Sequence, residues 1–155
     1  MQSPGPIRIA RAGIDDVDAV HDLFRGYLDF YRRDHDPGRS RAFLAERIER
    51  QQSVIFLAWL GDRAVGFVQL YPAFASLSLE PSWILNDLYV DDSARGQGAG
   101  TALMNAAREH ALATGACEIF LQTARSNSTA QSLYAGLGYQ RDDEFLVYTL
   151  AVEGD

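Results

Sequence analysis

The chain has 155 residues, most simply one domain and too few for two of ordinary size. Apolar residues make up 47% and charged residues 23%, which excludes a disordered, collagen-like or coiled-coil chain. Fourteen Lys and Arg against twenty-one Asp and Glu give a formal charge of −7; that excludes the basic stripe of a nucleic-acid binder and suits the attraction of cations such as protonated amines.

Ile7 to Ala10 alternates as a first strand does. From Asp15 to Tyr31, Val17, Val20, Leu23, Phe24, Tyr27, Leu28 and Tyr31 recur at helical spacing, with Asp15 and Asp16 in the opening turn where the dipole favours negative charge. Asp36, Pro37 and Gly38 break that helix, and Ser40 is expected to cap a second one running to about Gln51. Val54 to Leu60 reads as a buried strand, Gly61 and Asp62 as a turn, and Ala64 to Tyr71 as the antiparallel partner. A loop holding Pro72, Ser76, Ser78 and Pro81 leads to a third run, Trp83 to Val90. Thr101 to Ala113 is helical with Gly115 as its stop, Glu118 to Thr123 a strand, Ser128 to Leu137 a helix, and Tyr139 to Ala151 a closing strand or hairpin. The class is α/β around a mixed sheet.

The sharpest local feature lies between Val90 and Leu103, where a strand ends, Gly96, Gly98 and Gly100 alternate, and a helix begins. Amides at a helix N-terminus point outward without partners and carry partial positive charge. Glycines let a phosphate approach them, so a phosphate cradle and a ligand-free tight turn are both open readings. A dinucleotide fingerprint fails because its sixth position falls on Thr101 or Leu103, and a P-loop fails because no lysine follows these glycines.

Arg95-x-x-Gly98-x-Gly100, after Asn86-Asp87-Leu88-Tyr89-Val90, resembles the coenzyme A pyrophosphate loop of the GNAT family of N-acetyltransferases. Asn127-x-x-Ala130-x-x-Leu133-Tyr134-x-x-x-Gly138-Tyr139 is similar to that family's second block, and the element order matches over the whole chain. The resemblance implies one N-acetyltransferase domain over residues 1–155, structured from about 6 to 151, with a mixed central sheet and helices on both faces. It implies acetyl-CoA as cofactor. Backbone groups of Leu88, Tyr89 and Val90 would pair with the pantetheine arm, beside a bulge that splays the strand. The amides of Arg95, Gly96, Gln97, Gly98, Ala99, Gly100 and Thr101 would take the pyrophosphate, and Asn127 would contact the cofactor while capping the following helix. A backbone N–H near Leu88 would polarise the thioester carbonyl.

Tyr134 is the expected general acid: a phenol is protonated at neutral pH and can donate to the departing sulfur. By spacing alone it reads as a helix residue packed on the sheet. Asp87 is the expected general base, directly or through water; otherwise it is a strand-edge aspartate bonded to a loop. The strand most resembles that of the diamine acetyltransferases, except that Asn86 stands where they carry a glutamate, and an amide cannot act as a base.

The resemblance places the acceptor site on the first two helices, their connection and the facing strands. Tyr27, Asp29, Tyr31 and Asn86 are its candidates, with Asp34, Asp36 and the Tyr71 to Glu80 loop beside them. Aromatic and acidic groups suit a cationic amine, though each also reads as core or as solvated loop charge. The acceptor is expected to be a small primary amine: a diamine, a polyamine or an amino-acid-like compound. Other readings are a catalytically silent acyl-CoA-binding module, and an acetyltransferase of protein amines or of an antibiotic. Arg108 and Arg125 are either phosphate partners or surface charges.

His21, His35, His110 and Cys117 share no metal-ligand spacing, so no metal is expected. Cys117 is the single cysteine, which excludes an intrachain disulfide, and it reads as a small buried hydrophobe. Neither a signal peptide nor a membrane-length apolar run is visible. A cytoplasmic protein without membrane or nucleic-acid partners, and a homodimer as in many relatives, are the expectations.

Overall fold

The structure, a computed structural model, describes residues 6–152. They fall into two compact units, the first ending at Gln122 and the second beginning at Thr123.

The first unit carries β1 (Ile7–Arg11), α1 (Val17–Phe30), α2 (Pro37–Glu49), β2 (Val54–Leu60), β3 (Arg63–Ala75), β4 (Glu80–Val90), α3 (Ala99–Ala113) and β5 (Ile119–Phe120). Single 3-10 turns lie before α1, between β3 and β4, and before the glycine loop. The five strands form one sheet in chain order. Each successive pair is antiparallel except β4 and β5, which run parallel because α3 crosses between them.

The sheet is covered on both faces, and so β2 is apolar at every position. On one face Val17, Val20 and Leu23 of α1 and Leu44 of α2 pack with Ile55, Leu57 and Phe67. On the other, α3 buries Leu103, Met104, Ala107 and Ala111, and its His110 lies against the rings of Phe56 and Trp83.

Local chemistry moves some boundaries from where the sequence put them. Asp36, not Ser40, caps α2: its Oδ1 accepts from the N–H of Gly38 at 2.9 Å and of Arg39 at 3.3 Å, and Pro37 sits at the first helical position. Ser40 lies inside the helix, buried, with its Oγ 2.8 Å from His21 Nε2 of α1. The stretch read as a loop from Pro72 is a strand extension, since β3 reaches Ala75 and β4 starts at Glu80. Its prolines fit because their missing N–H groups face away from the β3–β4 ladder. Pro81 directs its carbonyl to Cys117 N–H at 2.9 Å on the β5 side. Pro72 faces a side that β2 has left, since that ladder ends at the Val54–Leu70 pair.

The second unit holds α4 (Ser128–Gly136), capped by Asn127 as expected: its Oδ1 accepts from Ala130 N–H at 3.1 Å. The closing strand or hairpin expected from Tyr139 to Ala151 is not found there. Among the described residues this unit holds no other strand for it to ladder with, and a strand exists only by its neighbour's hydrogen bonds.

Candidate active site

The site in the first unit begins at an irregularity. On β3, Gln69 and Leu70 are consecutive, yet their β4 partners are Asp87 and Leu85. Asn86 is therefore an extra residue, a bulge that bends β4. Its side chain is exposed, whereas Asp87 beside it is 4% exposed.

A buried carboxylate is costly unless hydrogen-bonded. Asp87 accepts from Gln69 Nε2 at 2.7 Å, from Asn86 Nδ2 at 3.1 Å and from the Tyr27 phenol of α1. Burial nevertheless outweighs these bonds and holds its pKa above the usual carboxylate range. Tyr71, on the same face, is pushed up to about 12, first by burial and then by the charge of Asp87, against the opposing charge of Arg47. It stays a protonated phenol. Tyr27 joins this group to the core through its ring contacts with Phe24, Phe67 and Tyr89.

Beyond the bulge, β4 has an open edge. Its parallel ladder with β5 consists of Trp83 with Ile119 and Ile84 with Phe120, and stops there among the described residues. Strand groups alternate sides, and Asp91 donates its N–H to Val65 of β3 at 2.8 Å. Asp87 and Tyr89 therefore face β3, while Leu88 and Val90 present their N–H and C=O to the open side. The carbonyl of Val90 accepts Arg95 Nε at 3.1 Å.

The glycine loop follows. Gly96 and Gly98 have φ of 77° and 87°, the left-handed region that favours glycine. Gly98 is the N-cap of α3 and no side chain caps that terminus, so the amides of Ala99, Gly100 and Thr101 open α3 uncovered by a capping group. Arg95 bends back over the loop: Nη1 is 2.7 Å from Asp92 Oδ1, and its guanidinium lies 5.7 Å from the Phe30 ring centre. An uncapped helix start beside an unpaired strand edge fits a ligand with a phosphate at one end and an extended amide chain behind it.

The remaining candidates separate. Tyr89 packs its phenol on α1, where a Cβ on Gly26 would stand 2.6 Å from its hydroxyl, so its side chain serves the α1–β4 contact rather than the open edge. Asp29 is exposed and bonds His35 Nε2 at 3.2 Å. Tyr31 is half-exposed with its ring edge-on to Tyr27. Asp34, Arg108 and Arg125 are exposed, and Asp36 is spent on the α2 cap. Cys117 is exposed rather than buried, because β5 begins two residues after it. In the second unit Tyr134 lies in α4 with its ring 6.0 Å from that of Tyr139.

Gln69 and Arg47 were not singled out by sequence. Gln69 did leave a signal, as the one polar side chain in the run from Val65 to Leu70. Arg47 left none: in α2 it reads as any surface arginine. Among the described residues no cluster of three His, Cys, Asp or Glu could hold a metal ion. No described helix is long and apolar enough to cross a membrane.

Residues 18–139 match the model of the acetyltransferase (GNAT) family. An uncharacterized N-acetyltransferase of Bacillus subtilis, YhfO, is 42% identical over 146 residues, 94% of this chain and 98% of the relative. A crystal structure of a probable acetyltransferase is 41% identical and superposes with a TM-score of 0.89 over 96% of this chain and 99% of that one. An aminoglycoside N-acetyltransferase solved in complex with CoA shares the fold, with a TM-score of 0.80 at 17% identity over 97% of this chain and 98% of that one.

Proposed function

Because the chain belongs to the GNAT family of acetyltransferases, we propose that it acetylates the primary amine of a small cationic acceptor, with Asp87 taking up the amine proton and Tyr134 protonating the leaving sulfur. Its activity class is that of an N-acetyltransferase with the family's mixed α/β fold. The family uses acetyl-CoA, which supplies the activated acetyl thioester. Diamines, polyamines and amino-acid-like compounds are the acceptor classes.

The observation that carries this reading is the open edge of β4, flanked by the buried Asp87 and the uncapped start of α3. The amides from Arg95 to Thr101 hold the pyrophosphate. Leu88 and Val90 pair with the pantetheine arm as an added strand, and the Leu88 N–H polarises the thioester carbonyl. Asn127 is the cofactor-contacting asparagine of this reading. Asp87, with its raised pKa, is poised as a base nearer neutrality than an ordinary carboxylate. It is almost sealed, so the proton reaches it through water at the Asn86 bulge. Tyr134, a phenol, supplies the proton to the thiolate.

Free-thiol release from acetyl-CoA with a panel of primary amines tests the reading. Turnover with small amines is the expected result. Acetylation of peptide N-termini alone would overturn the acceptor class, and coenzyme A binding without turnover on any amine would mark a binding module.

A further inference from the structure

The acceptor can be narrowed from one cation on the acceptor side of the sheet; this rests on the acetyl-transfer reading above. Leu44 of α2 is completely buried against β2 and β3, and Arg47 follows it at i+3, on the same helix face. The Arg47 side chain is 19% exposed. Its guanidinium lies 4.5 Å from the Phe43 ring centre, and Nη2 meets Glu46 Oε2 at 3.1 Å. Glu46 is itself half-exposed and shared with Arg50 Nε at 3.2 Å, so it neutralises Arg47 only weakly.

Arg47 Nε is buried with no hydrogen-bond partner among the described residues. A buried N–H without an acceptor is destabilising unless something fills it. Leu44 packs with Phe67 of β3, and Tyr71 lies four residues further along that strand on the same sheet face; its phenol feels both the negative charge of Asp87 and the positive charge of Arg47. One protonated phenol thus shares a sheet face with the buried carboxylate and feels the charge of the half-filled guanidinium.

We propose that the acceptor is zwitterionic: its amine is recognised at the Asp87 end and a carboxylate close to that amine by the guanidinium of Arg47, as in an α-amino acid. Arg47 suits this task because its planar fork matches a carboxylate and Phe43 already fixes its plane. A diamine would set its second ammonium against Arg47, with like charges opposed.

The test compares matched acceptors that differ only in the carboxylate: leucine with 3-methylbutylamine, and lysine with cadaverine. The enzyme is expected to favour the amino acid of each pair by about tenfold or more in kcat/KM, the scale of one charge-assisted hydrogen bond. Arg47→Met keeps the stem on Phe43 and should raise KM for the amino acids by about 10- to 100-fold. It should leave kcat and the monoamine 3-methylbutylamine nearly unchanged while relieving the repulsion of cadaverine, and Arg47→Lys should restore part of the loss on the amino acids. A wild-type preference for the decarboxylated amines would overturn the proposal, as would an equal loss on both members of a pair. Failure to acetylate any amine, with coenzyme A still bound, would instead overturn the acetyl-transfer reading beneath it.

Discussion

Gln69 and Asp87 join side chains at 2.7 Å at the point where β4 gains its extra residue. The two are paired across the strands, and both are buried. The bulge turns Asn86 out to solvent and Asp87 in, and the Gln69 amide offsets part of the cost of burying that charge. Gln69 Oε1 is left buried with no partner among the described residues, so the pair is tuned to a charged aspartate at some cost to the fold.

Asp87→Asn should therefore separate activity from stability. The folded-state pKa of Asp87 is raised by burial. Its contribution to stability is thus full below the unfolded carboxylate pKa and is lost as pH rises through the folded value. At pH 7 the ionised group is a burden. The asparagine variant, whose Nδ2 can donate to Gln69 Oε1, is expected to melt at or above the wild-type temperature at pH 7, with the gain shrinking as pH falls. Activity should drop and the acidic limb of the kcat/KM profile should disappear. A retained limb would place the base elsewhere.

Tyr134→Phe should lower kcat by about 10² or more, the usual scale for losing a general acid, while the dissociation constant for coenzyme A changes little. Asn127 still caps α4 in that variant, so far-ultraviolet circular dichroism should match wild type. Equal kcat in the two proteins would remove the phenol from the mechanism.

Gly98→Ala tests the cradle. Its φ of 87° is the obstacle, since an added Cβ would meet nothing within 4 Å. The left-handed conformation costs a non-glycine residue about 1–2 kcal/mol. If the loop relaxes to escape that strain, the α3 amides turn away from their ligand. A fall in melting temperature with at least a tenfold weaker coenzyme A affinity by calorimetry is the expected pair of results; weakened stability with unaltered affinity would take the loop out of binding.

The parts of this fold legible in the sequence are those set by local periodicity. The spacing of Val17, Val20 and Leu23, the apolar run of β2 and the Asn127 cap each act over a few residues and are found where expected. The Asp36 cap was hidden because Asp36-Pro37-Gly38 spells a break as readily as a helix start. The extension of β3 through Pro72 was hidden because a proline's tolerance depends on which neighbour its missing N–H faces. Within the site, the glycine loop and Asp87 stood out as residue types in a pattern. Gln69 and Arg47 come from a different strand and a different helix, and only the folded sheet brings Gln69 to Asp87 and lets Tyr71 feel the charge of Arg47.

Gly26 offers the strictest check on how α1 meets β4. A Cβ there would lie 2.6 Å from the Tyr89 hydroxyl and 3.0 Å from the ring carbon that bears it. Alanine is the better helix former and by propensity alone would stabilise α1 by up to about 1 kcal/mol. Overpacking should win instead, at about 1–3 kcal/mol, because Tyr89 is held against α1 at both Gly26 and the Tyr27 ring. Gly26→Ala is thus expected to lower the melting temperature. Adding Tyr89→Phe removes the closest atom and should recover part of the loss, the ring carbons at 3.0 and 3.1 Å keeping the rest. A double-mutant cycle by urea unfolding reads the coupling directly. Purely additive effects would mean that α1 shifts away from β4, in which case the Tyr27 bond to Asp87 should weaken and the acidic limb of the rate profile should move with it.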